Sequence, residues 1–107
     1  MDVDACDPPP LRFLAEWYAS ELTAATPEDI AARLDAGTAA ASADGSAVQL
    51  LVTVSVPADD VVYGVFAADT AEAVLEACRR VDWPPDRITG HVREHIRVPE
   101  QFGPALA

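Results

Sequence analysis

The order of hydrophobic periods along this chain constrains its fold more than any other sequence feature. Apolar and polar residues alternate in Leu11–Leu22, Val48–Val56 and Ile88–Val98, and such alternation is typical of a β-strand with one buried face. Val61–Ala68 is a further short run rich in β-branched and aromatic residues, and turn residues at Pro57–Asp60 precede it. The sequence therefore predicts four strands.

A first helix is predicted between the first and second strands. Thr26 followed by Pro27 is a typical helix start, because threonine can cap the first turn and proline needs no hydrogen bond there. Ile30, Leu34 and Ala41 then recur at helical spacing, and we expect the helix to end near 43–45.

A second helix is predicted between the third and fourth strands. Asp69 and Thr70 are its capping candidates, and Glu72 stands at the capping-box position relative to Asp69. Apolar residues recur at helical spacing up to Val81, and the prolines after Trp83 end the pattern.

The elements thus follow the order strand, helix, strand, strand, helix, strand. Because crossovers within one sheet are right-handed, this order favours a ferredoxin-like βαββαβ sandwich. We predict an α+β fold in which a four-stranded antiparallel sheet carries two helices on one face, with the first and third strands central. The length suits one domain, predicted over 11–98, with a flexible acidic N-terminal tail at 1–10 and a C-terminal tail at 99–107.

Composition limits the classes of partner. Eighteen acidic residues oppose seven basic ones, so the net charge of −11 repels nucleic acid. We find no apolar stretch long enough to cross a bilayer and no secretory signal pattern, so we expect a cytoplasmic protein without nucleic-acid or membrane partners. Cys78 falls in the apolar pattern of the second helix and is expected to be a small buried residue.

The function of such a fold depends on the sheet face that carries no helix, here called the open face. We place the first and fourth strands antiparallel about their midpoints. The predicted pairs are Glu16 with Arg93, Tyr18 with His91 and Leu14 with His95. The other two strands are expected to add Leu51, Thr53, Tyr63 and Val65. The predicted open face therefore mixes aromatic, aliphatic and ionisable side chains.

The two histidines suggest a metal site, but a single ion could not be bound by both of them on one strand. On an extended strand at about 3.3 Å per residue, His91 and His95 lie roughly 13 Å apart, which is too far to share one ion. Either histidine could bind Ni²⁺ or Zn²⁺ together with Glu16, a neighbouring tyrosine or a second chain. The competing interpretation is an ion pair between Glu16 and Arg93, with both histidines as ordinary surface or interface residues.

Two further functions use the same face. Tyr18, Tyr63 and Arg93 could contact a small ligand. Alternatively, Glu16, His91 and Tyr63 could serve as acid, base and orienting group in a small-molecule isomerase or cyclase of the dimeric α+β barrel type, because histidine titrates near neutral pH. A purely structural interaction module remains a third interpretation, so the residues alone leave open whether the chain is an enzyme.

Three segments are similar to a known family. They are FLAEWYASEL at Phe13–Leu22, TPEDIAARL at Thr26–Leu34 and YGVFAADTAEAVLEACRRVDWPPDRI at Tyr63–Ile88. Over about 11–98 the chain resembles the small nickel-binding ferredoxin-like proteins. Phe13 and Glu16 fit the family's first strand, whereas Ala19–Glu21 replaces its usual Pro-Gly and Gly64 stands where a larger residue is common.

The resemblance implies a split βαββαβ unit, self-association and nickel as a cofactor, without assigning the metal ligands residue by residue. Self-association also follows from the apolar residues of the open face, since a soluble monomer rarely exposes a large apolar patch. We therefore predict a homodimer, or a larger assembly, in which the open faces meet or the sheet edges pair.

Overall fold

The computed structural model describes residues 11–97 of the chain. Its strands are β1 (Leu11–Trp17), β2 (Val48–Val56), β3 (Val61–Ala68) and β4 (Arg87–Gly90). Its helices are α1 (Ser20–Thr23), α2 (Pro27–Ala43) and α3 (Ala71–Arg80), and a 3₁₀ turn (Pro57–Asp59) joins β2 to β3. The strands form one sheet in the order β2-β3-β1-β4, and every neighbouring pair is antiparallel. The predicted α+β chain with a four-stranded antiparallel sheet and two main helices is confirmed, whereas the predicted tails at 1–10 and 99–107 lie outside the described residues.

The core lies between one face of the sheet and helices α2 and α3. From the two central strands it receives Phe13, Ala15, Trp17, Val62 and Phe66. From the helices it receives Ile30, Leu34, Val74 and Cys78, each at most 1% exposed. The predicted alternation of β1 and β3 and the predicted burial of Cys78 are therefore confirmed, and the opposite side of the sheet is the open face.

Threonines cap the two main helices. The Oγ1 atoms of Thr26 and Thr70 each accept a hydrogen bond from the backbone N–H three residues ahead, at 3.0 and 3.1 Å. Helix α2 ends at Ala43, as expected, and Gly45 follows it in the left-handed region (φ 99°). Because Thr70 is the cap of α3, Glu72 occupies its second helical position, and the predicted capping box with Asp69 was wrong.

Two glycines permit close packing in the core. A β-carbon added at Gly37 of α2 would overlap the carbonyl oxygen of Ala77 in α3, so this glycine sets the approach of the two helices. A β-carbon at Gly64 would lie 3.2 Å from Cζ3 of Trp17. Gly64 therefore makes room for the indole that crosses it, which gives a physical reason for a glycine at this position.

A β-bulge changes the facing of β2. Leu50 pairs with Phe66, but the next pair is Val52 with Val65, so Leu51 is an extra residue in β2. Residues directly opposite each other share a face of the sheet, and one extra residue reverses the alternation from that point onward.

Beyond the bulge, hydroxyls replace valines on the core side. Thr53 pairs with Gly64 and Ser55 with Val62, and both partners belong to the core face. The prediction that Thr53 lies on the open face was therefore wrong. The residues that occupy the open face instead are Val52, Val54 and Val56.

Strands β1 and β4 both end earlier in the chain than predicted. β1 ends at Trp17, and the helical turn α1 occupies much of the remaining segment. β4 ends at Gly90 because His91 adopts a left-handed conformation (φ 58°), which turns the chain out of the extended course. One hydrogen bond still joins Val92 N to Arg12 O at 3.2 Å, but residues 92–97 form no strand.

The register of β4 against β1 also differs from the predicted one. Glu16 pairs with Arg87 and Leu14 with Thr89, whereas the prediction placed Arg93 and His95 at these positions. The difference is six residues. Because six is even, each residue of β4 keeps its predicted face although its partner changes.

Candidate functional site

A carboxylate lies on the open face, near the end of the central strand β1. Glu16 lies on the central strand β1, between Tyr63 of β3 and Arg87 of β4. Its side chain is only 12% exposed, although the main helices pack on the other side of the sheet. Neighbouring side chains therefore cover most of this acid.

Two of these neighbours contact the carboxylate directly. The hydroxyl of Tyr18 donates a hydrogen bond to Oε1 of Glu16, and Nε of Arg87 lies 3.8 Å from Oε2. The hydrogen bond to Glu16 is the main cause that raises the pKa of Tyr18, with desolvation and the negative charge of Glu16 adding to it. The phenol therefore stays protonated and remains a donor to the acid.

The backbone holds this arrangement in place. The backbone N–H of Tyr18 donates to Oδ2 of Asp86 at 2.7 Å, and the N–H of Asp86 donates to the carbonyl of Glu16 at 2.8 Å. These bonds join the end of β1 to the start of β4. We call Glu16, Tyr18, Tyr63 and Arg87 the Glu16 cluster.

The Glu16 cluster contains three of the predicted site residues and omits three. Glu16, Tyr18 and Tyr63 lie together as expected. His91, Arg93 and His95 do not join them, because the observed register places these residues beyond the paired part of β4. His91 follows Gly90, which pairs with Phe13, so at about 3.3 Å per residue it lies on the order of 10 Å along the sheet from Glu16.

Arg87 is the functional residue that sequence reasoning missed. It carries the charge that was expected from Arg93, and its side chain is 65% exposed, so it can contact a further group. Alternation assigns Arg87 and Arg93 to the same face, and only the offset between strands distinguishes them. The predicted ion pair of Glu16 with Arg93 is therefore replaced by a contact with Arg87, while Arg12 pairs with Glu94 at 3.0 Å.

An apolar surface adjoins the Glu16 cluster. The bulge places Val52, Val54 and Val56 on the open face, and Val54 is 45% exposed. Leu14 and Val65 pair across the two central strands on the same face. We call these five residues the valine patch.

The predicted metal ligands do not converge in one chain. His91 and His95 are both exposed, and Glu16 is separated from them by the observed register. Within residues 11–97, no three His, Cys, Asp or Glu side chains are grouped so that they could hold an ion. His91, His95 and Glu16 of a single protomer therefore do not form one group.

Within the described range, no helix is both long enough and apolar enough to cross a bilayer.

No family model matches the chain, and no curated protein matches it either. The chain is similar in structure to SCO4226 from Streptomyces coelicolor A3(2), known from a crystal structure, with a TM-score of 0.59 and 18% sequence identity. The similarity covers 79% of this chain and 99% of that protein, and at this identity what the two chains share is their fold.

Proposed function

We propose that this chain is a ferredoxin-like protein that forms a homodimer and binds a small polar ligand at the Glu16 cluster. The observation that carries the proposal is a carboxylate of which the side chain is 12% exposed, bound by the hydroxyl of Tyr18 and adjacent to the exposed side chain of Arg87. Such an arrangement offers a fixed acceptor and an exposed cation side by side. A small number of convergent polar groups beside an apolar surface is typical of a small-molecule site.

The order β2-β3-β1-β4, its antiparallel pairs and the helices packed on one face support the ferredoxin-like assignment. This is the arrangement expected for a split βαββαβ chain. The similarity to SCO4226 supports it at the level of the fold.

The two charges of the Glu16 cluster suggest the class of ligand. In this proposal Glu16 accepts a hydrogen bond from a hydroxyl group of the ligand, and Arg87 binds a carboxylate of the same ligand. Short hydroxy acids carry both groups. Binding by a panel of short hydroxy acids is measured by protein-observed NMR in wild type and in Glu16→Gln and Arg87→Gln.

We expect wild type to show saturable shifts at Tyr18 and Tyr63, and each variant to bind about tenfold more weakly, because each loses one charged hydrogen bond. Arg79→Gln is the matched control, since Arg79 is exposed on α3 and lies outside the Glu16 cluster. Equal binding by all four proteins would show that the hydroxy acids do not use this cluster.

The valine patch supports the homodimer. It places five apolar side chains next to each other on a face without a main helix, and a second copy would bury them. Size-exclusion chromatography with light scattering should give twice the chain mass of 11.3 kDa. Val54→Asp should reduce the mass to that of one chain, whereas Ala39→Asp on the exposed side of α2 should leave it unchanged. A wild-type mass of one chain at micromolar concentration would exclude this dimer.

Proton transfer is a second candidate function, and the bond between Tyr18 and Glu16 favours it. A neutral phenol beside a shielded carboxylate places a proton donor next to a proton acceptor, as an isomerase or cyclase requires. Glu16 would take a proton from carbon and later return one from solvent. Incorporation of deuterium from heavy water into a bound hydroxy acid tests this step, and it should disappear in Glu16→Gln.

Binding of nickel or zinc through His91, His95 and Glu16 stays a prediction, and because these three are not grouped within one chain, a second chain would supply further donors. Elemental analysis of tag-free protein and titration with Ni²⁺ and Zn²⁺ test it against His91→Ala and His95→Ala. Equal, weak binding by wild type and both variants would exclude these ligands.

A further inference from the structure

A cavity lies where the chain leaves β1 and where it turns after α3. Its volume is about 240 Å³. Its lining residues include Tyr18, Trp83 and Trp17, and because Trp17 is 2% exposed and packs in the core, the accessible aromatic surface is that of Tyr18 and Trp83. Trp17 and Trp83 are the two tryptophans of the chain. We call it the tryptophan cavity. It shares Tyr18 with the Glu16 cluster, but its other lining residues do not belong to that cluster. It lies at the end of the sheet.

The aromatic walls are held in position by hydrogen bonds. Tyr18 is 55% exposed, yet its backbone N–H is bound to Asp86 and its hydroxyl to Glu16. Nε1 of Trp17 donates to the carbonyl oxygen of Trp83 at 2.8 Å. An exposed ring fixed at both ends loses little freedom on binding a ligand, so the walls are preorganised.

The charged groups of the cavity all have one sign. Its lining includes the carboxylates of Glu21, Asp82 and Asp86, and none of its lining residues in the described chain is basic. Aromatic faces attract cations through their quadrupole, and carboxylates attract them by charge. The chain already shows this attraction, because the guanidinium of Arg33, which is not a lining residue, covers one face of the Trp83 ring at 4.1 Å from its centre.

We propose that the tryptophan cavity binds a small organic cation that carries an alkylated ammonium group. The alkyl groups contact the aromatic walls and the charge faces the three carboxylates. A neutral molecule of the same shape gains the first contact but not the second. Metal cations gain the second contact but cannot use the apolar walls.

Intrinsic tryptophan fluorescence reports the binding directly, because both indoles line the cavity. The probe is choline chloride, with sodium chloride at the same ionic strength as the reference. The neutral carbon isostere of choline, in which carbon replaces the nitrogen, is the shape control. We expect a saturable change with choline and at least about tenfold weaker binding of the isostere, since it lacks the charge.

Asp82→Asn and Asp86→Asn test the role of charge without a change of shape. Each should raise the dissociation constant for choline by about fivefold. The matched control is Asp60→Asn, because Asp60 also has a positive φ (54° against 62° for Asp82) and does not line the cavity. Circular dichroism checks that all variants are folded.

A further variant tests the aromatic wall. Tyr18→Ala should weaken choline binding, whereas Tyr18→Phe should retain most of it because the ring remains. The proposal is overturned if choline and its isostere give the same response, or if Asp60→Asn weakens binding as much as Asp82→Asn does. Loss of hydroxy acid binding in Arg87→Gln with intact choline binding would separate this site from the Glu16 cluster, because Arg87 does not line the tryptophan cavity.

Discussion

At the scale of single residues, some positions of the core have no space for an added side-chain atom. Gly37 and Gly64 are the clearest cases, because a backbone carbonyl lies against the first and an indole ring against the second. The pattern of apolar residues predicts which side of β1, of β3 and of the two main helices is buried. It does not predict which positions must lack a side chain, because that depends on how closely two distant elements approach.

Gly37→Ala should destabilise the protein, although alanine is the better helix former by about 1 kcal/mol. The added methyl group overlaps the carbonyl oxygen of Ala77, and displacement of α3 costs more than the gain. We expect a net loss of about 1 to 2 kcal/mol in the free energy of unfolding, within the range for overpacked cores. Urea denaturation measures it, and an unchanged or higher stability would contradict the close contact.

The buried thiol of Cys78 should make stability depend on alkaline pH. Burial raises the pKa of the Cys78 thiol to about 12, whereas a thiol in an unfolded chain ionises near about 8.5. Above that lower value the unfolded chain has lost a proton that the folded chain keeps. Stability is therefore complete below about pH 8.5 and falls by up to about 1.4 kcal/mol per pH unit as the pH rises towards 12.

Cys78→Ala is the control for this titration. It should be less stable than wild type at neutral pH because it leaves a small cavity. It should also lack the part of the alkaline slope that comes from this thiol. Urea denaturation from about pH 7 to about pH 10 measures both slopes. Parallel curves for the two proteins would mean that the thiol ionises equally in the folded and unfolded chains.

At the scale of elements, the bulge in β2 has the largest consequence. It turns the hydroxyl groups of Thr53 and Ser55 to the core side, where neither Oγ1 nor Oγ has a hydrogen-bond partner among residues 11–97. A buried polar group without a partner costs about 1 to 3 kcal/mol. The same bulge places three valines on the open face, so one extra residue alters both sides of the sheet.

Thr53→Val should therefore stabilise the protein, by about 1 kcal/mol, because it removes an unpartnered hydroxyl and keeps the shape of the side chain. Thr38→Val is the matched control. Thr38 is also buried, but its hydroxyl donates to the carbonyl of Asp35 at 3.0 Å, so this change should bring no gain. Thermal unfolding compares the two, and a loss of stability in Thr53→Val would contradict the facing that the bulge imposes.

At the scale of the whole molecule, charge opposes compactness. The net charge is −11, and the pairs of Arg12 with Glu94 and of Arg80 with Glu76 involve partly exposed side chains. Surface pairs of this kind contribute little, about 0 to 1 kcal/mol each. Repulsion among the remaining acids therefore exceeds the attraction that these pairs supply.

Salt should consequently raise the stability of this protein. As sodium chloride increases from about 0.01 M to about 1 M, the screening length falls from about 30 Å to about 3 Å and repulsion weakens. We expect the melting temperature to rise by a few degrees. Differential scanning calorimetry at fixed protein concentration measures it, so that any self-association stays comparable between samples. A melting temperature that falls with salt would show that attractive pairs dominate instead.

Local patterns in the chain were sufficient to identify its main elements and much of the candidate site. The alternation in β1 and β3, the threonine at each main helix start and the placement of Glu16, Tyr18 and Tyr63 on one face all follow from interactions within a few residues. Periodicity and capping act at that short range, so the amino-acid order alone carries them.

Register and bulge depend instead on pairing between distant segments. Arg87 and Arg93 share a face in any register that differs by an even number of residues, so alternation could not tell which of them meets Glu16. The extra residue Leu51 lies in an apolar run, Leu50–Val52, and such a run does not show by itself whether or where the facing of the strand changes. The packed sheet selects one offset because only the complete set of contacts between strands and helices makes one register more stable than its neighbours.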